Sequence, residues 1–256
     1  MNHLISHISL YSLMSIITMG IASGQDARPA STATGSAKST EIITAVQRAI
    51  VDQTNEFRKS NQLEAVQRNE PLMQAAKKFA EFMARTDKYG HRANGMTPAQ
   101  RAEKAGYDYC IVRENIAYRT NTGDVTAASL IEVFVQGWID SPPHRENMLA
   151  DYITQTGAAV ATTDGVTYYA VQLFGRPQSA AFQLKLTNDS QKTETIRFEA
   201  NDQRDEVELQ PQMTVTMTRC LPTKVSLARS DESKTVRSDA TFRVTNEGTI
   251  EPSETP

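Results

Sequence analysis

Trp138-Ile139-Asp140-Ser141-Pro142-Pro143-His144-Arg145-Glu146-Asn147-Met148-Leu149 is the stretch that decides how this chain folds. Upstream of it, Val125, Ala128, Leu130, Ile131, Phe134, Val135 and Trp138 recur at helical spacing. Val125 to Trp138 is therefore expected to form an amphipathic helix with its apolar stripe toward a core. Asp140 and Ser141 interrupt the stripe, and two prolines follow. Ser141 suits an N-cap, because its hydroxyl can accept from an amide of the next turn that has no partner within the helix. Pro142 suits the first helical position, where a missing N–H costs nothing. The expectation is a second, short helix from Pro142, with His144 in its first turn behind a rigid Ser-Pro-Pro corner. On this stretch alone, His144 is a residue that helps close a corner.

The pattern W-x-x-S-P-x-H-R-x-N-M-L resembles the helix–corner–helix signature of bacterial members of the CAP superfamily, whose domains are also called SCP domains. The family's usual glycine before the histidine is replaced by Pro143, which stiffens the corner without moving the imidazole. Other pieces fall in the family's order: Asn55 and Arg58 in a first helix, Gly90-His91, Arg113-Glu114-Asn115-Ile116-Ala117, and Tyr168 to Gly175. The resemblance covers Glu41 to Pro177, a single-domain length. It implies an α+β fold, a three-layer α-β-α sandwich, after which the chain's own strand pattern predicts a small all-β domain.

Working outward, residues 1–24 are expected to be an export signal. Ile8 to Ala22 is apolar and uncharged, too short to span a bilayer comfortably, and Ala22-Ser23-Gly24 offers small residues for cleavage. The segment before it has His3 and His7 but no Lys or Arg, and an uncleaved anchor is the alternative. No cysteine follows the apolar run, so lipidation there is not expected. The expected location is secreted, periplasmic or at the cell surface, with no integral membrane segment after cleavage. Residues 25–40, rich in Ser, Thr, Ala and Gly, are expected to be a flexible linker. The net charge of −3 and scattered basic residues leave no face for nucleic acid.

Within 41–177, Ile43, Val46, Ile50 and Phe57 mark the first helix, and a second opens at Asn69-Glu70-Pro71. Thr97-Pro98-Ala99-Gln100 is a capping box, with Gly106 ending that helix. Ala158–Thr162 and Val166–Phe174 flank Asp164-Gly165, which is expected to be a two-residue hairpin turn. In 178–245 short alternating runs predict a small antiparallel β-sandwich or barrel. They are Phe182–Thr187, Thr193–Glu199, Glu206–Leu209, Thr214–Arg219, Lys224–Ala228 and Ala240–Thr245. Residues 246–256, acidic and Pro-containing, are expected to be disordered. Asn188-Asp189-Ser190 matches a glycosylation sequon and is taken as a chance tripeptide. Cys110 and Cys220 fall one in each domain; an interdomain bridge is one alternative, and two free thiols are expected.

Once the signal is removed, His91 and His144 are the only histidines. The family resemblance places them in one cleft with Glu114, as two imidazoles that bind a divalent metal, usually zinc, and a carboxylate that holds a metal-bound or bridging water. Ser141 and Asn147 are expected to support the cleft beside Glu114. Many members have a second glutamate where this chain has Ser141; Asp140 would replace it only if the corner turned differently, and Glu132 is expected to face solvent. Catalytic zinc usually has three protein ligands plus water, so two histidines imply weak binding. No H-E-x-x-H, G-x-S-x-G or reactive-cysteine signature is present. The function expected is an extracellular module that binds a ligand, lipid or protein. The alternative is a metal-assisted, peptidase-like hydrolase with Glu114 as general base.

Overall fold

The computed structural model describes residues 31–120, 123–201 and 203–253, with side chains from residue 38 onward. The expected signal (1–24) and residues 25–30 of the expected linker lie outside these. The first helix, α1 (Ser31–Ser60), begins well before Glu41. Residues 31–40, expected to be linker, are thus helical: no proline stands between Pro29 and Pro71, and an established helix extends with little further ordering. Strand β1 (Gln67–Arg68) leads into α2 (Glu70–Thr86), whose N-terminus is capped by Asn69 accepting from Leu72 N–H at 3.1 Å. Next come α3 (Pro98–Lys104), with the expected Thr97–Gln100 capping box, and the long strand β2 (Tyr109–Thr120). The helix expected from Val125 starts instead at α4 (Ala127–Ile131), because Thr126 caps it, and continues through a π-helical turn, Glu132–Gln136, into α5 (Gly137–Asp140). Helix α6 (Pro142–Leu149) follows the Ser-Pro-Pro corner.

Strands β3 (Gln155–Ala161) and β4 (Thr167–Pro177) complete a sheet of order β1-β3-β4-β2. β4 is buried on both faces, which is why its sequence is nearly all apolar. Tyr168, Ala170 and Phe174 pack with Val46, Ile50, Phe134, Trp138 and Met148 on one side. Tyr169, Val171 and Leu173 pack with Leu72, Phe79, Met83 and Ala102 on the other. The result is three layers, α-β-α. On β3, a Cβ at Gly157 would run into the backbone of Leu72 and Met73, so glycine is what lets α2 lie this close. The β3–β4 turn differs from expectation. Pairing stops at Ala161 opposite Tyr169, and Thr162 to Val166 form a longer loop. Asp164 causes this: its Oδ1 accepts from the N–H groups of both Val166 and Thr167 at 2.8 Å, capturing donors that a tighter turn would place in the ladder.

After a 3-10 turn (Gln178–Ala180) the chain forms a β-sandwich. Its strands are β5 (Phe182–Asn188), β6 (Glu194–Ala200), β7 (Gln203–Leu209), β8 (Thr214–Arg219), β9 (Thr223–Leu227), β10 (Ser233–Val236), β11 (Ala240–Val244) and β12 (Ile250–Pro252). The two sheets have orders β10-β9-β6-β7 and β12-β11-β5-β8, and one pair, β11–β5, is parallel. Phe182, Leu184, Phe198, Val225 and Val244 fill the space between them. Strands β10 and β12 lie where no strand was expected; β12 falls in the stretch expected to be disordered, where Ile250 pairs with Val244. Asn188 is fully buried, and its amide donates to the carbonyls of Lys192 and Leu209 at 2.8 Å, so the sequon's nitrogen is committed to the fold.

Cys110 and Cys220 form a disulfide, with Cα atoms 5.3 Å apart, which corrects the expectation of free thiols. The sequence places them in different regions, but both sit at the junction. Cys110 lies at an irregularity where β2 shifts register against the end of β4, and Cys220 directly follows β8. Arg176 reinforces the joint by donating to the carbonyls of Cys220 at 2.7 Å and Ala180 at 2.9 Å. An Arg237–Asp151 ion pair at 2.8 Å adds to it.

Candidate functional site

The site is built where α6 docks on β2. Arg113-Glu114-Asn115 runs along β2 beneath α6, and asparagines stitch the two together. Asn115, fully buried, donates to the His144 carbonyl at 3.1 Å. Asn147 donates to the Glu114 carbonyl at 3.1 Å and to Asn115 Oδ1 at 2.8 Å, and accepts from Arg113 at 2.9 Å. Behind them Arg58, 1% exposed, anchors the far end of α6 by donating to the carbonyls of Met148 and Ala150 at 2.7 and 3.0 Å. Trp138 Nε1 donates to the Ile116 carbonyl at 3.3 Å, locking the preceding helix to the same strand. The corner is therefore fixed from three sides.

Ser141 does not do what the sequence suggests. It occupies the N-cap position of α6, yet its side chain makes no capping bond. Its Oγ lies 2.9 Å from His144 Nδ1 instead. The hydroxyl orients the imidazole rather than the helix. Asp140 is bound to Gln136 at 2.9 Å and exposed, and Glu132 is exposed, so neither joins the site.

His91 follows Gly90, whose φ of 132° is open to glycine and strained for other residues. Its Nδ1 lies 2.8 Å from Glu114 Oε1. Glu114, with a side chain only 1% exposed, has its other oxygen bound to Arg101 Nη2. Arg101 is itself 3% exposed, lies 3.6 Å above the Phe79 ring, and donates through Nη1 to the carbonyls of His91 and Met96 at 2.9 and 2.6 Å. The expected water-holding carboxylate is thus a buried anion closed off by a guanidinium and an imidazole. Sequence reasoning missed Arg101, because beside Glu103 and Lys104 in α3 it looks like one more solvent-facing charge.

His91 and His144 are near enough to interact electrically. Burial, and after it the charge of His91, holds the His144 pKa below the ordinary imidazole value, which favours the neutral ring. A carboxylate on Nδ1 selects the tautomer of His91 that leaves Nε2 with its lone pair free. With Ser141 as the acceptor, the Nδ1 contact would do the same for His144. As a donor set, two imidazoles would leave the remaining positions of a divalent ion to water or a ligand. They do not fit a closed structural zinc site, which takes four protein ligands. Among the described residues no group of three or more His, Cys, Asp or Glu is arranged to hold a metal. Tyr89 borders the site: it is 47% exposed, its hydroxyl donates to the Ile116 carbonyl at 3.1 Å, and its ring meets Tyr118 edge-on at 4.9 Å.

Residues 51–174 match the CAP family model, described as the cysteine-rich secretory protein family. No curated protein matches the chain. Among solved structures, an outer surface protein of Borrelia burgdorferi is 22% identical, with a TM-score of 0.45, over 52% of this chain and 93% of that one. An extracellular SCP-domain protein of Bacillus anthracis is also 22% identical, with a TM-score of 0.44, over 52% of this chain and 41% of that one. A cysteine-rich secretory protein of Staphylococcus aureus is 19% identical, with a TM-score of 0.41, over 52% of this chain and 38% of that one. The chain thus spans less than half the length of the last two.

Proposed function

We propose that this chain, which belongs to the CAP superfamily through residues 51–174, is an extracellular binding module whose His91–His144 cleft takes a divalent metal such as zinc. The observation that carries the reading is the pair of Nδ1 contacts, to Glu114 and to Ser141, each of which leaves an Nε2 for the metal. When bound, the ion would supply an open Lewis-acidic position for a ligand's oxygen or nitrogen. Glu114 orients His91, Ser141 orients His144, and Asn115 and Asn147 hold the two backbones in register.

The binding reading is favoured over metal-assisted hydrolysis by the state of Glu114. A general base needs a free lone pair within reach of water. Both Glu114 oxygens are already engaged, and the side chain is 1% exposed. An extracellular location is supported by the Cys110–Cys220 disulfide, since such bonds persist in oxidising compartments. Among the described residues no helix is long and apolar enough to cross a membrane. Metal analysis of protein purified near neutral pH, with and without prior chelation, tests the metal assignment. The reading expects a divalent metal that the chelator removes while the fold remains. Zinc-dependent cleavage of a peptide library, lost in Glu114→Gln, would replace the binding reading with the hydrolytic one.

A further inference from the structure

Among the described residues the β-sandwich has four edge strands, and three of them are blunted. β7 carries Arg204, Asp205, Glu206 and Glu208; β10 is four residues long and includes Lys234; β12 is three residues long and ends in Pro252. Charge, shortness and proline are the features that keep an exposed strand edge from pairing with another chain. β8 has none of them. Thr214-Val215-Thr216-Met217-Thr218 is uncharged, lies on β5 in unbroken register, and forms the outer edge of its sheet. The Met213 carbonyl accepts from Asn188 N–H at 2.8 Å, which turns the backbone groups of Met213, Val215 and Met217 toward β5. By the alternation of an antiparallel strand, Thr214, Thr216 and Thr218 turn theirs outward. No other described segment bonds to them. Behind the same edge, Val215 and Met217, with Val207 of β7, are core residues that are only partly covered.

We propose that two copies of the chain associate through this edge, β8 against β8, antiparallel across a twofold axis at Thr216. The occupant follows from the strand's own symmetry. With Thr216 opposite its copy, Thr214 faces the partner's Thr218 and Thr218 faces the partner's Thr214. Every outward N–H and C=O then meets its complement, and the contact closes after two copies. Threonine meets threonine at each of these positions, a favourable cross-strand pair. The row extends the side-chain bonds Thr187–Thr214 and Gln183–Thr218, at 2.9 and 2.8 Å, that already join β5 to β8. No charge on the strand from Thr214 to Thr218 meets its like. On the neighbouring β7, Asp205 is paired with Arg219, and Glu206 with Arg197 and Arg204. Direction is set by the disulfide. β8 ends at Arg219, and Cys220 ties that end to Cys110 of the α-β-α unit, so antiparallel pairing keeps the two α-β-α units apart.

Sedimentation equilibrium of the full chain over a range of concentrations tests this. A monomer–dimer equilibrium is expected with a dissociation constant of about 50 µM, weak because one pair of edge strands buries less than a standard interface. Thr216→Pro removes an N–H that points away from β5, so the sheet within one copy keeps its bonds. Thr216→Lys sets two like charges against each other at the axis. Each variant should associate at least tenfold more weakly, with a thermal midpoint close to that of the wild type. Mixing Thr216→Lys with Thr216→Glu should restore dimers, because opposite charges then meet at the axis. That rescue separates β8 pairing from any other contact between copies. A wild type still monomeric tenfold above the expected dissociation constant, species larger than a dimer, or variants that associate as the wild type does would overturn the proposal. So would Lys and Glu variants that stay monomeric when mixed. Should Thr216→Pro disturb the sandwich, the Lys and Glu variants, which change only an exposed side chain, decide it.

Discussion

Replacing Arg101 with Met tests how the site is held. In the wild type the guanidinium and the Glu114 carboxylate face each other with side chains 3% and 1% exposed. Arg101→Met leaves that carboxylate buried with His91 as its remaining partner, and strips the carbonyls of His91 and Met96 of a donor. Removing one member of a buried pair costs about 3–5 kcal/mol, because the other charge stays in a poorly solvating environment. Met keeps most of the contact with Phe79, so lost packing contributes little. For a unit of this size, that loss lowers the unfolding midpoint on the order of 10 °C. Thermal and denaturant unfolding near neutral pH would measure it. Arg101→Met/Glu114→Leu, which removes both charges, should recover part of the loss, with a coupling of about 1–3 kcal/mol. A single variant within about 1 kcal/mol of the wild type, or a strictly additive double variant, would refute the buried-pair account.

Thiol counting in denaturant without reductant should find neither Cys110 nor Cys220 reactive. Cys110→Ser/Cys220→Ser should lose about 4–5 kcal/mol, the entropy of closing so long a loop, by comparison of denaturant midpoints. Ser141→Ala should weaken zinc binding about tenfold by freeing the His144 ring, with a stability change near zero. A capping role would instead cost about 1 kcal/mol of stability and leave zinc binding alone. Backbone N–H bonds from Thr167 and Val166 hold the Asp164 carboxyl below its ordinary range. Its stabilising effect is therefore complete above the unfolded-state value of about 3.9 and lost as pH falls through the lower folded value. The urea-midpoint gap between wild type and Asp164→Asn should accordingly close in acid, and a gap independent of pH would contradict this.

Elements with local signals were legible in the sequence. The helix opening at Asn69-Glu70-Pro71, the Thr97 cap, the helix–corner–helix stretch and the alternating strands β5, β6 and β8 all announce themselves through neighbours a few residues away. What escaped depends on contacts between distant segments. Cys110 meets Cys220 only because β4 carries the chain to a junction that β2 and β8 both reach. Arg101 is buried because α3 lies over Phe79 and the Glu114 carboxylate, neither of which is local to it. Ser141 misled for a different reason: the sequence shows a good cap, but a hydroxyl has competing partners, and the imidazole three residues on wins. Residues 31–40 and β12 show composition failing in the other direction, since polar segments become ordered when they continue a formed helix or pair with a strand.

The central claim is that His91 and His144 act together as a metal-capable pair, each turned by its own Nδ1 partner. Calorimetric titration of zinc into the wild type and into His91→Ala/His144→Ala near neutral pH tests it most directly. The account predicts one weak, saturable site in the wild type that fades in acid, because a protonated imidazole cannot ligate a metal. It predicts no such site in the double variant, whose unfolding midpoint should stay close to that of the wild type. Equal zinc binding by both proteins would contradict the assignment, and loss of the fold in the double variant would return both histidines to a structural role.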